Sequence, residues 1–263
     1  MRSLQWVLAV LILSWTLPTD GQAQRERQPV SLYLFEIEGA VSSKELLPLH
    51  QLVIRTLENN PIPIKPVIYP LKRALDTFWN SPGACKYPAS IAASRKTFPE
   101  HIDVPLIESA PFSYATGKIY GRVGEANFRS LTSLSGRNVG AITGSTLEQV
   151  AIDAGATVYA AKQESQLFDM LMLNRIDAVI AYHPHFLSTL ERRGLQTDKV
   201  QFASDLDLVV NRSTIVCHDT AQAREMLEAV NEQLILLRNS GELDQILEPL
   251  GAITAPPERL NNG

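Results

Sequence analysis

The sequence predicts an α/β protein made of two similar units. Segments rich in β-branched and aromatic residues alternate with segments of helical apolar spacing through residues 30–93, and this alternation begins again near Lys118. The chain then ends with a strand and two helices within 213–250. An order of strand, helix, strand, helix, strand is typical of parallel sheets joined by right-handed crossovers. We therefore expect mostly parallel sheets flanked by helices.

The first unit begins with a strand at 30–35, after the polar stretch 24–28. A helix follows, with apolar residues at helical spacing from Leu46 to Leu57, and an Asn-Asn-Pro sequence ends it. The remaining elements of this unit are a strand at 64–68, a helix at 70–79 and a strand at 89–93.

The second unit opens with short strands at 119–122 and 139–143. The turn at 144–146 then begins a helix, and Ser165 is expected to cap the next one. The other elements predicted here and in the tail are strands at 157–160, 176–181 and 213–217 and helices at 221–238 and 242–250.

The overall charge argues against a nucleic-acid partner. The chain has 24 Lys and Arg residues against 28 Asp and Glu residues, a net charge of −4, and the basic residues form no cluster or stripe. A surface that follows phosphates normally has a basic excess. We therefore expect a soluble globular protein without a polymer ligand.

The N-terminus carries a predicted secretory signal peptide, residues 1–23. Arg2 precedes an apolar run that ends at Leu17, which is short for a membrane span. Gly21 and Ala23 place small residues at the two positions that a signal peptidase inspects, so we expect cleavage after Ala23. The alternative is an uncleaved membrane anchor.

The chain has two cysteines, Cys85 and Cys217. Outside the cytoplasm a disulfide can persist, and two cysteines allow one intramolecular pairing. Two unrelated buried thiols are the alternative, and the residues alone do not decide between them.

Four motifs give the chain a resemblance to a known family. They occur in the order and spacing of the bacterial family 3 extracellular solute-binding proteins, the substrate-binding type of amino-acid ABC transporters, of which this chain resembles a divergent member. The motifs are SGRNVG (135–140), TGST (143–146), LMLNRIDAV (171–179) and NSGELDQIL (239–247).

The resemblance implies a two-lobed type II periplasmic-binding-protein fold with a ligand cleft between the lobes. Lobe one is then 24–113 plus 210–263, and lobe two is 114–209. In this family the returning strand runs antiparallel beside the third strand of lobe one, which would place Cys217 near Cys85. The resemblance therefore predicts a disulfide.

The resemblance also implies where a solute would bind. The residues expected at the cleft are Tyr69, Ser94, Arg95, Gly144, Ser145, Thr146 and Tyr182. The 144–146 turn offers N–H groups and hydroxyls to a carboxylate or carbonyl, although it could be a simple helix cap. Arg95 follows the predicted third strand and could bind a carboxylate bidentately, or it could be a surface residue paired with Glu100.

The chain departs from the family's amino-acid clamp at two positions. Amino-acid-binding members usually have an arginine three residues after a threonine in the segment that follows the third strand, but here Thr97 is followed by Glu100. They usually carry an acid where this chain has Tyr182, and the segment 69–74 resembles a divergent subgroup. We expect a small solute other than a typical zwitterionic amino acid, or a lost ligand role.

Other chemistry is weakly indicated. His183, His185 and His218 lack the spacing of a metal site, and we interpret them as loop histidines at the cleft rim. Glu38 is expected in a solvated acidic loop. The sequence predicts no metal, no cofactor and no catalytic residue.

These expectations combine into a functional hypothesis. The resemblance implies a monomeric periplasmic protein, not an enzyme, that captures a small polar solute and presents it to a membrane permease or sensor. The alternatives are an accessory or interaction protein on the same fold and, less favoured, a dehydratase-like enzyme, for which no poised acid is evident.

Overall fold

The computed structural model describes residues 27–125 and 128–254. The strands are β1 (Val30–Glu36), β2 (Ile64–Pro70), β3 (Cys85–Ala89), β4 (Leu106–Glu108), β5 (Ser113–Arg122), β6 (Asn138–Ile142), β7 (Thr157–Ala161), β8 (Ala178–His183), β9 (Val200–Phe202) and β10 (Val210–His218). The helices are α1 (Pro48–Leu57), α2 (Leu71–Trp79), α3 (Ile91–Thr97), α4 (Thr146–Asp153), α5 (Glu164–Met172), α6 (His185–Arg192), α7 (Ala221–Asn239) and α8 (Glu242–Leu247).

The expected signal peptide and its cleavage point after Ala23 lie outside the described residues. Within the two described ranges, no helix has both the length and the apolar character that crossing a membrane requires.

The sheet of the first lobe has the strand order β2-β1-β3-β10-β4. Strands β2, β1 and β3 are parallel, and β10 returns antiparallel between β3 and β4. The side chains of β1 alternate between two cores: Leu32 and Leu34 pack in the cluster that includes α1, α7 and α8, whereas Tyr33 and Phe35 pack in the cluster that includes α2. Both faces are covered, as a parallel sheet requires.

The second lobe repeats this plan with the strand order β7-β6-β8-β5, and β9 pairs with the far end of β5. Strands β7, β6 and β8 are parallel, and β5 is antiparallel to β8. Helix α4 packs on one face of this sheet, while α5 and α6 pack on the other. The mostly parallel α/β plan expected from the sequence is confirmed in both lobes.

Strands β5 and β10 connect the two lobes. The first part of β10, residues 210–213, pairs antiparallel with residues 113–116 of β5, and the later residues of β10 pair with β3 and β4. The chain therefore leaves the first lobe along β5 and returns to it along β10. We call these two segments the crossing strands.

The predicted strand at 89–93 is wrong. Strand β3 ends at Ala89, and Ser90 is the N-cap of helix α3, since its hydroxyl accepts a hydrogen bond from the N–H of Ala93 at 3.1 Å. Residues that were expected to follow the strand therefore lie inside a helix. The expected cap at Ser165 is also wrong, since α5 begins at Glu164 with Gln163 at its N-cap.

The predicted disulfide is present. Strand pairing sets Cys217 of β10 directly opposite Cys85 of β3, with 4.0 Å between the Cα atoms and an S–S distance of 2.01 Å. Both residues are fully buried in the core of the first lobe. The bond ties the returning strand to the lobe that the chain left earlier.

Candidate functional site

The turn at the start of α4 faces the first lobe. Gly144 has a φ of +79°, and a Cβ built on it would lie 3.9 Å from the side chain of Leu71 at the start of α2. The hydroxyl of Ser145 accepts a hydrogen bond from the N–H of Glu148 at 3.1 Å, and the Glu148 carboxylate accepts one from the N–H of Gly144. Ser145 therefore caps α4, and the Glu148 carboxylate holds the N–H of the turn that precedes the helix.

The corresponding helix of the first lobe, α3, is also held by a carboxylate. The N–H of Ile91 donates to Glu108 Oε2 at 2.9 Å. The same carboxylate accepts hydrogen bonds from the Thr214 hydroxyl at 3.2 Å and from Arg212 Nη2 at 2.6 Å. A helix N-terminus attracts an anion, and here the chain supplies that anion from β4.

Five neutral polar side chains join the two helix starts across the crossing strands. The hydroxyl of Thr97, the last residue of α3, lies 3.1 Å from that of Thr146, the first residue of α4. Thr146 also hydrogen-bonds the phenol of Tyr182. Asn211 of β10 donates to the Tyr182 oxygen at 3.4 Å and accepts from the Ser90 hydroxyl at 2.8 Å. We call Ser90, Thr97, Thr146, Tyr182 and Asn211 the polar chain. It contains no charged group and includes residues of both lobes.

Tyr182 occupies the centre of the polar chain. Burial raises the pKa of its phenol to about 12, although the hydrogen bonds from Thr146 and Asn211 oppose that rise. The phenol is therefore neutral at physiological pH and can both donate and accept a hydrogen bond. At this position the chain presents a dipole rather than a charge.

The sequence-predicted residues fall into two groups. The structure brings Gly144, Ser145, Thr146 and Tyr182 together where the lobes meet. Ser94 and Arg95 lie inside α3: the Ser94 hydroxyl donates to the Ser90 carbonyl at 2.7 Å, and Arg95 is exposed in the last helical turn.

Tyr69 lies at the end of β2, beside the cleft-facing start of α2. Its ring stacks on Tyr33 with 6.0 Å between the ring centroids. The guanidinium of Arg73 lies over the Tyr69 ring, 4.3 Å from its centroid. The ring therefore has an aromatic neighbour and a cationic neighbour within its own lobe.

A second contact between the lobes involves Glu38, which follows β1. Its carboxylate accepts hydrogen bonds from the Ser165 N–H at 3.0 Å, the Ser165 hydroxyl at 2.8 Å and Arg193 Nε at 2.8 Å. Burial alone would raise the pKa of Glu38, but these hydrogen bonds and the charge of Arg193 outweigh it, so the pKa is below its usual value. The expectation of a solvated acidic residue is wrong, because only 7% of this side chain is exposed.

The residues interpreted as loop histidines at the cleft rim are packed side chains. His183 ends β8 with Nδ1 3.0 Å from the Tyr120 hydroxyl, His185 begins α6 with most of its side chain covered, and His218 stacks on Phe78 with 4.4 Å between centroids. Among the described residues, no group of three or more His, Cys, Asp or Glu side chains could hold a metal ion.

Sequence reasoning missed three members of the polar chain: Ser90, Thr97 and Asn211. Thr97 was noted only as the first residue of an incomplete motif. A signal for Ser90 existed, because a serine three residues before Ala93 in a run of small residues is a typical N-cap. Asn211 joins the cluster through the crossing strands, and no local pattern indicates that.

No family profile and no curated protein matches the chain at a significant level. Solved structures do match. The GluR0 ligand-binding core from Nostoc punctiforme in complex with L-glutamate superposes with a TM-score of 0.68 at 19% identity, covering 84% of this chain and 98% of that one.

A histidine kinase sensor domain described as similar to periplasmic binding proteins gives a TM-score of 0.68 at 12% identity, covering 88% of this chain and 99% of that one. The arginine-bound substrate-binding protein AbpA of an amino-acid ABC transporter from Streptococcus pneumoniae gives 0.63 at 18% identity, covering 87% and 97%. These likenesses establish the two-lobed periplasmic-binding-protein fold that the sequence resemblance implied.

Proposed function

We propose that this chain, which has the fold of the two-lobed binding proteins, is a periplasmic solute-binding protein. The observation that carries the proposal is the polar chain, which places hydroxyl and amide groups of both lobes against one another where the lobes meet. Groups in this position can bind a solute from two sides. Solved structures of the same fold that are described as ligand-binding or sensor proteins support this role.

The crossing strands suit such a protein mechanically. Two lobes joined by β5 and β10 can rotate about these strands, because each lobe has its own cores on both faces of its sheet. A solute that contacts both lobes favours the closed arrangement by its differential affinity. A membrane partner can then read occupancy as a change of shape.

The chemistry of the site favours a neutral polar solute. A carboxylate of the chain already lies at each helix start. Glu148 accepts from the N–H of Gly144 in the turn before α4, and Glu108 accepts from the N–H of Ile91 in α3. These two negative charges disfavour a solute carboxylate at either position. Between them lie hydroxyls and one amide, which can donate and accept hydrogen bonds but cannot neutralise a charge. A small polyol, amide or similar molecule fits these groups better than a zwitterionic amino acid.

The remaining expectations belong to the same proposal. We assign the polar chain, with Gly144, Ser145 and Tyr69, to solute binding. Ser94 and Arg95 remain predicted contacts, and they would reach a solute only after a conformational change of α3. We also propose residues 24–113 with 210–263 as lobe one and 114–209 as lobe two, since the crossing strands begin at Ser113 and Val210. A cleaved leader would deliver a monomer to a permease or sensor.

A thermal-shift screen tests the proposal. The panel contains neutral polyols and amides, zwitterionic amino acids and small carboxylates at equal concentrations. We expect a saturable rise in Tm with a neutral solute, because a ligand that binds only the folded state stabilises it by mass action. A response to amino acids alone would contradict the proposed ligand class. Turnover of the hit would indicate an enzyme.

One observation favours an accessory role as the second candidate function. Glu108 and Glu148 already place carboxylates at the helix starts where a carboxylate solute would bind, so the fold can be satisfied without a ligand. No hit in the screen, combined with specific capture of this protein by a membrane partner, would favour that role.

Thr146→Val tests the proposed site. Valine keeps the shape of threonine but removes the hydroxyl that contacts Thr97 and Tyr182, so we expect about 5- to 100-fold weaker solute binding by calorimetric titration, which corresponds to about 1–3 kcal/mol. Thr157→Val, at an exposed position in the same lobe, is the matched control and should keep the wild-type affinity. Equal affinities in the two variants would remove Thr146 from the site.

A further inference from the structure

Glu38 is held by the second lobe through its backbone as well as its carboxylate. Besides the bonds from Ser165 and Arg193, its carbonyl oxygen accepts a hydrogen bond from the Thr189 hydroxyl at 3.4 Å and lies within hydrogen-bonding reach of His185. A first-lobe residue is thus inserted between α5 and α6. This contact is separate from the polar chain.

The next residue, Gly39, also packs closely against the second lobe. Gly39 has a φ of +72°, and a Cβ built on it would lie 2.3 Å from Arg192 Nη2, so an added side chain would adopt a strained backbone and displace the Arg192 guanidinium. Arg192 Nη1 also donates to the carbonyl of Pro249 in the first lobe at 2.6 Å, and the Ser188 hydroxyl donates to the Leu250 carbonyl at 3.2 Å. The contact therefore has two parts: Glu38 and Gly39 against α5 and α6, and residues 249–250 against α6.

A buried acid lies beside this contact. Glu164 Oε2 is 3.5 Å from His185 Nε2, and both side chains are largely buried. Burial raises the pKa of Glu164 to about 8, and the charge of Glu38 adds to that rise, whereas Arg192 opposes it. Burial lowers the pKa of His185 to about 4. Near pH 7 the pair is therefore neutral.

We propose that Glu38 and Gly39 form a latch that holds the lobes together without a solute, and that this latch weakens as Glu164 ionises. The ionised Glu164 carboxylate would face Glu38 from the other lobe, and opening would separate the two. Of the charged groups around them, Arg192 and Arg193 favour closure. The charge of Glu191 raises the pKa of Arg192, and His185 stays neutral above about pH 4.

The direction of the pH effect follows from proton linkage. In the closed form Glu164 keeps its proton up to about pH 8, whereas a solvated carboxyl loses it near its usual value of 4.5. The open form therefore binds fewer protons between these values. Raising the pH through this window favours opening, and the effect levels off above about pH 8.

The test measures the distance between the lobes in the solute-free, full-length mature protein. Spin labels at Glu228→Cys on α7 and Ile152→Cys on α4 occupy exposed positions, and the native cysteines are paired. We expect the ratio of long to short distances to rise by about 10²- to 10³-fold between pH 5 and pH 9 in the otherwise wild-type protein, because a carboxyl whose pKa falls from about 8 to 4.5 on opening requires a change of this size.

Four variants distinguish the possible outcomes. Glu38→Ala should give the long distance at every pH, with Glu38→Gln as the milder version if the alanine variant folds poorly. Glu164→Gln, which cannot ionise, should keep the short distance at pH 9. Glu232→Gln on the exposed face of α7 is the control and should behave as wild type.

The proposal is overturned if Glu38→Ala and Glu38→Gln retain the short distance, or if Glu164→Gln opens with pH as wild type does. Because no solute is present, these outcomes do not depend on whether the cleft binds one. A failed solute screen would leave the latch measurement unaffected.

Discussion

Replacing Lys86 with methionine is expected to raise the free energy of unfolding by about 2–4 kcal/mol at pH 6. The Lys86 side chain on β3 is 1% exposed, and its ammonium lies 4.4 Å and 4.6 Å from the ring centroids of Phe78 and Trp79. Burial lowers its pKa to about 7 from 10.5. Each unit of lowered pKa corresponds to about 1.4 kcal/mol of unfolding free energy that the buried ammonium costs and that methionine would restore. The lost cation–π contacts offset about 1 kcal/mol of this gain.

The pH dependence gives this prediction a second readout. The folded state releases the Lys86 proton near pH 7, whereas the unfolded state keeps it up to about pH 10.5, so the stability of the wild type rises with pH between these values. The advantage of Lys86→Met should therefore shrink above pH 7.

Urea unfolding at several pH values measures this advantage. The control is Lys65→Met on the exposed edge strand β2, which should change the free energy of unfolding by no more than about 0.5 kcal/mol. A destabilised Lys86→Met, or an advantage independent of pH, would contradict the account of this buried amine.

Removing the disulfide is expected to have the second large effect. The double variant Cys85→Ala, Cys217→Ala should lose about 2–5 kcal/mol of unfolding free energy, because the bond closes a loop with a sequence separation of 132 residues and restricts the unfolded chain. The two sulfur atoms also leave a buried core, which adds a packing loss.

Urea unfolding of the double variant and the oxidised wild type measures this loss. Wild type unfolded and refolded in reductant serves as the comparison, since it lacks the bond but keeps both side chains. Intact mass before and after reduction should differ by two hydrogens. Free thiols in the native protein, or equal unfolding midpoints, would contradict the prediction.

Much of the fold could be predicted because its central strands have strong local patterns. Strand β1 has β-branched and aromatic residues that pack on both faces of the sheet, and α7 carries buried residues at helical spacing. Local patterns were less reliable around Pro88. There the apolar residues after β3 belong to a helix, and the cap formed by Ser90 decided the boundary.

The site was harder to predict for two reasons. The placement of Arg95 depended on the end of β3, and an error of a few residues moved it from a loop to the exposed end of α3. The hydrogen-bond partners of Glu38 in the second lobe are at least 127 residues away in sequence. Only the folded chain shows that an acid expected in solvent caps a helix of the other lobe.

Native mass spectrometry of the protein recovered from cells without denaturation tests whether the polar chain binds a neutral solute. We expect one neutral polar molecule bound per chain, and loss of this molecule in the variant Thr146→Val, Tyr182→Phe. A bare chain even after incubation with the full solute panel, or an amino acid retained by both proteins, would contradict it.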